Sequence, residues 1–392
     1  MSKKYNFDEV IDRMGTYSNK WDGAYKYFGT NDLIPLWIAD MDFAPPREAV
    51  EVIEKRAKHG IYGYTLTESK HRKPFIEWCK SRYRYDVKEE WIVNTPGVVP
   101  AICAAIQSLT NEGDEIMIQP PVYPPFFNSV KNNDRKLVEN PLILKDGKYE
   151  IDFDDLEYKI KNGNIKMLLL CNPHNPVGRV WNREDLEKIM NICKEHNILV
   201  FSDEIHGDII YKGNQFNSLM TFPKEYYDNI IVATAPSKTF NIAGLYYSNI
   251  LIPNEDIRQK VRLVLTKLNI SAENVFSINA GAAVYEYGED WVDELVDYLE
   301  ENAKFVEQFI KERLPKIKTF NLEGTYLMWL DFRELFEDQD ELKDFLINKA
   351  KVGLNDGTTF GSQYVGFARL NIASPRSIIE EGLKRIEKAL NI

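Results

Sequence analysis

The chain has 392 residues, 44% hydrophobic and 28% charged, the balance of a globular protein with room for more than one domain and a large dry core. A formal net charge of −11 argues against nucleic acid as the main partner, because phosphate binding needs a clustered cationic face. No apolar run is long enough to span a bilayer, and none follows the two lysines of the N-terminus as a secretory leader requires.

Taken in chain order, the segment up to Pro46 holds a strand-like stretch, LIPLWIADMDF. The middle then alternates short apolar runs with amphipathic ones. Strands are predicted at Glu115–Gln119, Lys166–Cys171, Ile198–Ser202, Ile230–Thr234 and Asn249–Ile252, each bounded by Pro, Gly, Asn or Asp. Helices are predicted at Ala101–Leu109, Arg183–His196 and Glu255–Leu268. Near-continuous apolar strands separated by helices imply an α/β unit with a mostly parallel central sheet covered on both faces. After about Asp290 the texture changes to a long helix, Trp291–Leu314, a strand at Tyr326–Asp331, a helix at Asp340–Lys351, a strand at Phe367–Ile372 and a helix from Arg376. The expected division is a large domain over residues 47–290 and a smaller α+β domain built from residues 1–46 and 291–392. The four cysteines, Cys79, Cys103, Cys171 and Cys193, lack metal-type spacing and lie in apolar or helical stretches. Buried reduced thiols are expected, and the cytoplasm as compartment.

The chemistry gathers behind the predicted strands. Lys238 follows one strand, inside Ala235-Pro-Ser-Lys-Thr-Phe-Asn-Ile-Ala-Gly, among small and apolar neighbours that would depress an amine's pKa towards nucleophilic use. A loop lysine is ordinarily a solvated charge, but this one has company. Asp203 and His206 close the preceding strand in Ser-Asp-Glu-Ile-His; Asn175 lies in Asn-Pro-His-Asn-Pro-Val-Gly after the strand before that. Tyr123 follows another strand in Pro-Pro-Val-Tyr-Pro, and Gly97, Val98 and Val99 open a helix whose free N–H groups suit an anion. Open α/β sheets bind ligands at the carboxyl ends of their strands. A lysine, a carboxylate, an amide, an aromatic ring and an anion-ready helix start on that edge match the needs of a phosphorylated aromatic aldehyde.

These motifs resemble those of fold-type I pyridoxal-phosphate enzymes, the class I/II aminotransferase superfamily. Within it the chain is similar to the MalY/PatB-type cystathionine β-lyases, or cysteine-S-conjugate β-lyases. The resemblance runs from Trp37-Ile-Ala-Asp-Met-Asp-Phe to Arg369-Leu-Asn-Ile-Ala, with NPHNPVG and SKTFNIAGL as its most specific parts. It implies pyridoxal 5′-phosphate as cofactor and a catalytic set of Lys238, Tyr123 and Asp203. Lys238 would hold the cofactor as a Schiff base and then take the substrate's Cα proton. Asp203 would pair with the pyridine nitrogen, Asn175 would donate to the phenolic oxygen, and Tyr123 would stack on the ring. Gly97, Val98, Val99 and Ser237 would receive the phosphate, and Arg369 would clamp the substrate carboxylate. The family's sites are shared in a homodimer, with a tyrosine reaching across; Tyr64 is the favoured match and Tyr62 the other choice.

Two positions depart from the aminotransferase pattern. His206 stands where aspartate-type aminotransferases have tyrosine, and Tyr246 where they have a phosphate-binding arginine. The implied reaction is α,β-elimination of L-cystathionine, cysteine or a cysteine S-conjugate to pyruvate, ammonia and a thiol. The alternatives are an aminotransferase on the same fold, and, from another class, a non-catalytic PLP-binding regulatory protein.

Overall fold

A computed structural model describes residues 4–270 and 274–391. Its centre is a seven-stranded sheet: β1 (Ile92–Thr95), β2 (Glu115–Ile118), β3 (Lys136–Glu139), β4 (Ile165–Cys171), β5 (Leu199–Asp203), β6 (Ile230–Thr234) and β7 (Ser248–Leu251). The strand order is β1-β7-β6-β5-β4-β2-β3. All neighbours pair in parallel except β7, which runs antiparallel to both β1 and β6. The five expected strands are present within a residue or two, and β1 and β3 join them. β1 is only four residues long, and β3 is an edge strand that is nowhere fully buried, so neither has the apolar run that betrays its neighbours.

The central strands are apolar because both faces are covered; β6, Ile-Ile-Val-Ala-Thr, is buried at every position. One face packs on Val98–Leu109 and Glu255–Lys267, helices that meet each other over the sheet. Ser277–Tyr287 packs against two helices that the sequence pattern does not announce, Arg47–His59 and Ser69–Arg82. The latter carries Pro74 inside it and has little amphipathic contrast, which hides it from a periodicity argument.

A second sheet has the order β8-β9-β11-β10, from β8 (Lys318–Thr319), β9 (Leu327–Asp331), β10 (Asn355–Asp356) and β11 (Phe367–Asn371), all antiparallel. The expected helix over 340–351 is broken: Gln339–Asp344 is α-helical and Phe345–Lys349 forms a wider π turn. The stretch LIPLWIADMDF is also not the strand its composition suggests. Only Ile34–Pro35 forms a ladder, with Val352–Gly353, and from Leu36 onwards the carbonyls are taken by side chains and single backbone groups of other elements. No helix among the described residues is long and apolar enough to cross a membrane.

Candidate active site

Because β1, β2, β4, β5 and β6 share one direction, their carboxyl ends fall on one edge, and the loops behind them surround a cavity of about 230 Å3. Gly97, Val98, Val99, Tyr123, Asn175, Asp203, His206 and Lys238 all line it. Five separate loops are thus brought together as the spacing of the motifs predicts. Ser237 adjoins Lys238 in the short helix Pro236–Thr239 but does not line the cavity.

Asp203 ends β5 with its carboxylate buried; among the described residues it accepts only the Ile205 N–H, at 3.2 Å. Burial pushes its pKa up to about 7, against the pull of that N–H and of the Lys238 charge. Lys238 is half-buried and its amine donates to the Ala39 carbonyl at 2.7 Å. Burial lowers that amine to about 8; nearby Asp40 raises it and Arg369 lowers it further. His206 is driven down to about 3 by burial and by the positive charges of Lys238 and Arg369, so its ring is neutral at pH 7. The ring sits edge-to-face on Tyr326, centroids 5.4 Å apart, with Nδ1 buried and unpartnered.

Asn175 belongs to a tight turn closed by the His174 N–H to the Arg179 carbonyl. Gly178 in the same turn has a φ of +69°, and a Cβ there would strike the Leu322 side chain, which explains the glycine of that motif. The Asn175 Oδ1 accepts from Arg369 Nη1 at 3.0 Å. Arg369, in β11, also donates through Nη2 to the Trp37 carbonyl at 3.0 Å and to Asn355 Oδ1 at 2.6 Å, while its Nε has no partner. Its guanidinium lies 4.9 Å from the centre of the Phe360 ring, and burial lowers its pKa to about 10. A fully buried cation bonded only to neutral groups is a ready receptor for a carboxylate.

The helix Val98–Leu109 begins at the cavity with no side-chain cap, which leaves its first N–H groups free for an anion. Tyr246, in a left-handed conformation with φ 56°, lines the cavity where a phosphate-binding arginine was missing. Tyr64 is fully exposed and does not line this cavity; Tyr62 is tied down, its hydroxyl donating to the Ala57 carbonyl at 2.8 Å. Three participants had no assigned role in the sequence. The Ala39 carbonyl accepts from Lys238 and from the Tyr326 hydroxyl, and Asn355, on a neighbouring strand, accepts from Arg369. Only Ala39 had a signal, its place in Trp-Ile-Ala-Asp-Met-Asp-Phe.

This fold, with a ligand edge bearing lysine, aspartate and asparagine, is that of the fold-type I pyridoxal-phosphate enzymes. The chain belongs to the aminotransferase class I and II family, whose model matches residues 31–386. It is 41% identical to the cystathionine beta-lyase PatB of Bacillus subtilis (strain 168), over 98% of this chain and 100% of that one. Two solved structures superpose closely. One is a PLP-bound protein from Clostridium difficile 630, provisionally described as an aminotransferase, with TM-score 0.97 and 43% identity over 99% of this chain and 100% of that one. The other is cystalysin from Treponema denticola, which contains a pyridoxal 5′-phosphate cofactor, with TM-score 0.95 and 39% identity over 99% of both chains.

The residues present fit that cofactor. A ring N–H would give the buried Asp203 carboxylate the cation it lacks; a phosphate would answer the uncapped helix start; and the Asn175 amide nitrogen, which has no acceptor among the described residues, would serve an oxygen in the cavity.

Proposed function

We propose that this protein is a pyridoxal 5′-phosphate-dependent carbon–sulfur lyase that carries out α,β-elimination on L-cystathionine, cysteine or cysteine S-conjugates. The observation that carries the reading is a lysine amine lowered to about 8 at the cavity, together with a buried, carboxylate-free arginine that stands behind the lining and is bonded to Asn175 of it. The likeness to PatB selects a sulfur leaving group over transamination.

Each residue has a task. The first-turn N–H groups of Gly97, Val98 and Val99 would hold the phosphate, and Tyr123 would supply an aromatic ring against the cofactor. Asp203 accepts a proton-bearing ring nitrogen, and Asn175 donates to the phenolic oxygen. Neutral His206 fills the place beside them. Arg369 fixes the substrate α-carboxylate, which sets the direction of the Cα–H bond. Lys238 then removes the Cα proton as general base, and an amine of pKa about 8 is unprotonated in roughly a tenth of molecules at pH 7, far more than an ordinary lysine. When bound, the cofactor supplies an electron sink for the carbanion that proton loss leaves at Cα. The Cβ–S bond then breaks, the sulfur takes up a proton and leaves as a thiol, and water hydrolyses the released 2-aminoacrylate to pyruvate and ammonia.

The domain division over 47–290 and over 1–46 plus 291–392 is part of the same proposal. Its support is that each sheet falls within one domain so divided; residues 1–3, 271–273 and 392 lie outside the described residues. A homodimer in the cytoplasm is the working unit. Its support is the exposed run Ile61, Tyr64 and Leu66, with Tyr64 the free tyrosine for a neighbour's phosphate site; sedimentation of the holoprotein reads this state.

The test is pyruvate release from L-cystathionine. Lys238→Ala should lower turnover by about a thousandfold or more, the loss expected when a nucleophile and base is removed. Retained turnover sinks the assignment, and conversion of a 2-oxo acid to an amino acid without pyruvate moves it to transamination.

A further inference from the structure

Six successive backbone carbonyls, those of residues 36–41, each accept a hydrogen bond from a residue distant in the chain. Leu36 accepts from the Asn371 N–H at 2.9 Å, and Trp37 from Arg369. Ile38 and Asp40 both accept from the Asn371 side-chain amide, at 2.6 and 2.7 Å. Between them, Ala39 accepts from the Lys238 amine and from the Tyr326 hydroxyl at 3.1 Å. Met41 accepts from Asn241 and Arg13, both at 3.0 Å.

Arg369 and Asn371 are two residues apart on β11 and therefore project from the same face. One strand face thus holds the carboxylate clamp and pins the two peptides that flank the acceptor of the base. Asn371 and Tyr326 are fully buried, and neither lines the cavity. A carbonyl is a suitable acceptor for this lysine. It accepts an N–H from the amine and, more strongly, from the ammonium, so it aims Lys238 in both states while favouring the proton far less than the full charge of a carboxylate would.

We propose that residues 36–41 form a strap whose Ala39 carbonyl is the resting place of the Lys238 amine when it is not joined to the cofactor, with Asn371 and Tyr326 as the positioning residues that hold it there. The inference rests on the reading of Lys238 as the base. Loosening the strap withdraws the fixed acceptor from a buried ammonium, so the Lys238 pKa falls. The orientation of the freed lysine suffers, while substrate affinity through Arg369 is kept.

The experiment uses Tyr326→Phe, which keeps the ring, and Asn371→Ala. The cofactor is removed, and labelling of Lys238 by an amine-reactive reagent is followed by mass spectrometry against pH. The expected result is a labelling curve displaced by about half to one pH unit downwards, a three- to tenfold rise in labelling near pH 7. In the holoenzyme, kcat for pyruvate release falls about tenfold with KM within about twofold. A merely structural role would lower the thermal midpoint and leave the labelling curve in place. If Asn371→Ala does not fold, Tyr326→Phe decides alone. A Tyr326→Phe curve that stays put or moves to higher pH overturns the proposal. Loss of turnover in Lys238→Ala alongside such a curve refutes only the strap, whereas retained turnover refutes the assignment of the base itself.

Discussion

Two charge clusters bond to the strap and are built on opposite plans. In one, Asp42 accepts from Lys20 and Arg13, both at 2.7 Å, from the Trp21 indole at 2.9 Å and from the Ser374 hydroxyl. Burial works against its charge, yet Lys20 and these donors hold its pKa below the usual carboxylate value. Arg13 answers in kind: burial would lower it, but Asp40 and Asp42 hold it above its ordinary value. In the other cluster, Asp203, Lys238 and Arg369 make no direct ion pair with one another, and all three are displaced in the direction that disfavours charge. A complete cluster locks structure. An incomplete one stores the cost of burial until a ligand brings the missing partners.

The most direct challenge to this contrast is to remove one cation from each side. Lys20→Ala strands the buried Asp42 carboxylate with fewer donors and should cost about 3–5 kcal/mol of stability, read by denaturant unfolding, while the folded fraction keeps its turnover. A neutral effect on stability would mean that the first cluster is no lock. Arg369→Ala should do the reverse. Its kcat/KM for cystathionine should fall about a hundredfold, the loss of a buried charge-assisted pair with the substrate, with a smaller change in unfolding midpoint than Lys20→Ala gives. Equal kinetics in wild type and variant would remove the carboxylate clamp from the mechanism.

The smallest effect probes the second cluster through pH. The Asp203 pKa is raised when folded, so the native cofactor-free protein binds a proton there that the unfolded chain has released. Its contribution is therefore present at low pH and is lost as pH rises from about 4 to about 7. His206 and His174, lowered by burial to about 3 and about 4, act in the opposite sense over the same range, so the difference from Asp203→Asn is the quantity to measure. Wild type should lose stability relative to that variant by up to about 1.4 kcal/mol per pH unit across this window. Parallel stability curves would place Asp203 in a far wetter setting than its burial indicates.

Much of the site is legible in the sequence, because its residues are local to strand ends. Lys238, Asp203, Asn175 and Tyr123 each follow an apolar run that can only be a covered strand, and a parallel sheet must bring such ends to one edge. The α/β class and all five predicted strands rest on the same periodicity. What the pattern could not show was anything whose partner lies far along the chain. The short β1 and the edge strand β3 carry no distinctive apolar run, and their places, like the antiparallel direction of β7, depend on pairing. The stretch from Leu36 to Met41 has the composition of a strand. It became a strap because Arg369, Asn371, Lys238, Tyr326 and Asn241 offer donors to its carbonyls, and those donors come from residues about 200 to 330 positions away. Side-chain identity and spacing determined which groups could do chemistry. Only the tertiary structure decided which of them would be left buried without a partner, because that depends on what the rest of the fold fails to supply.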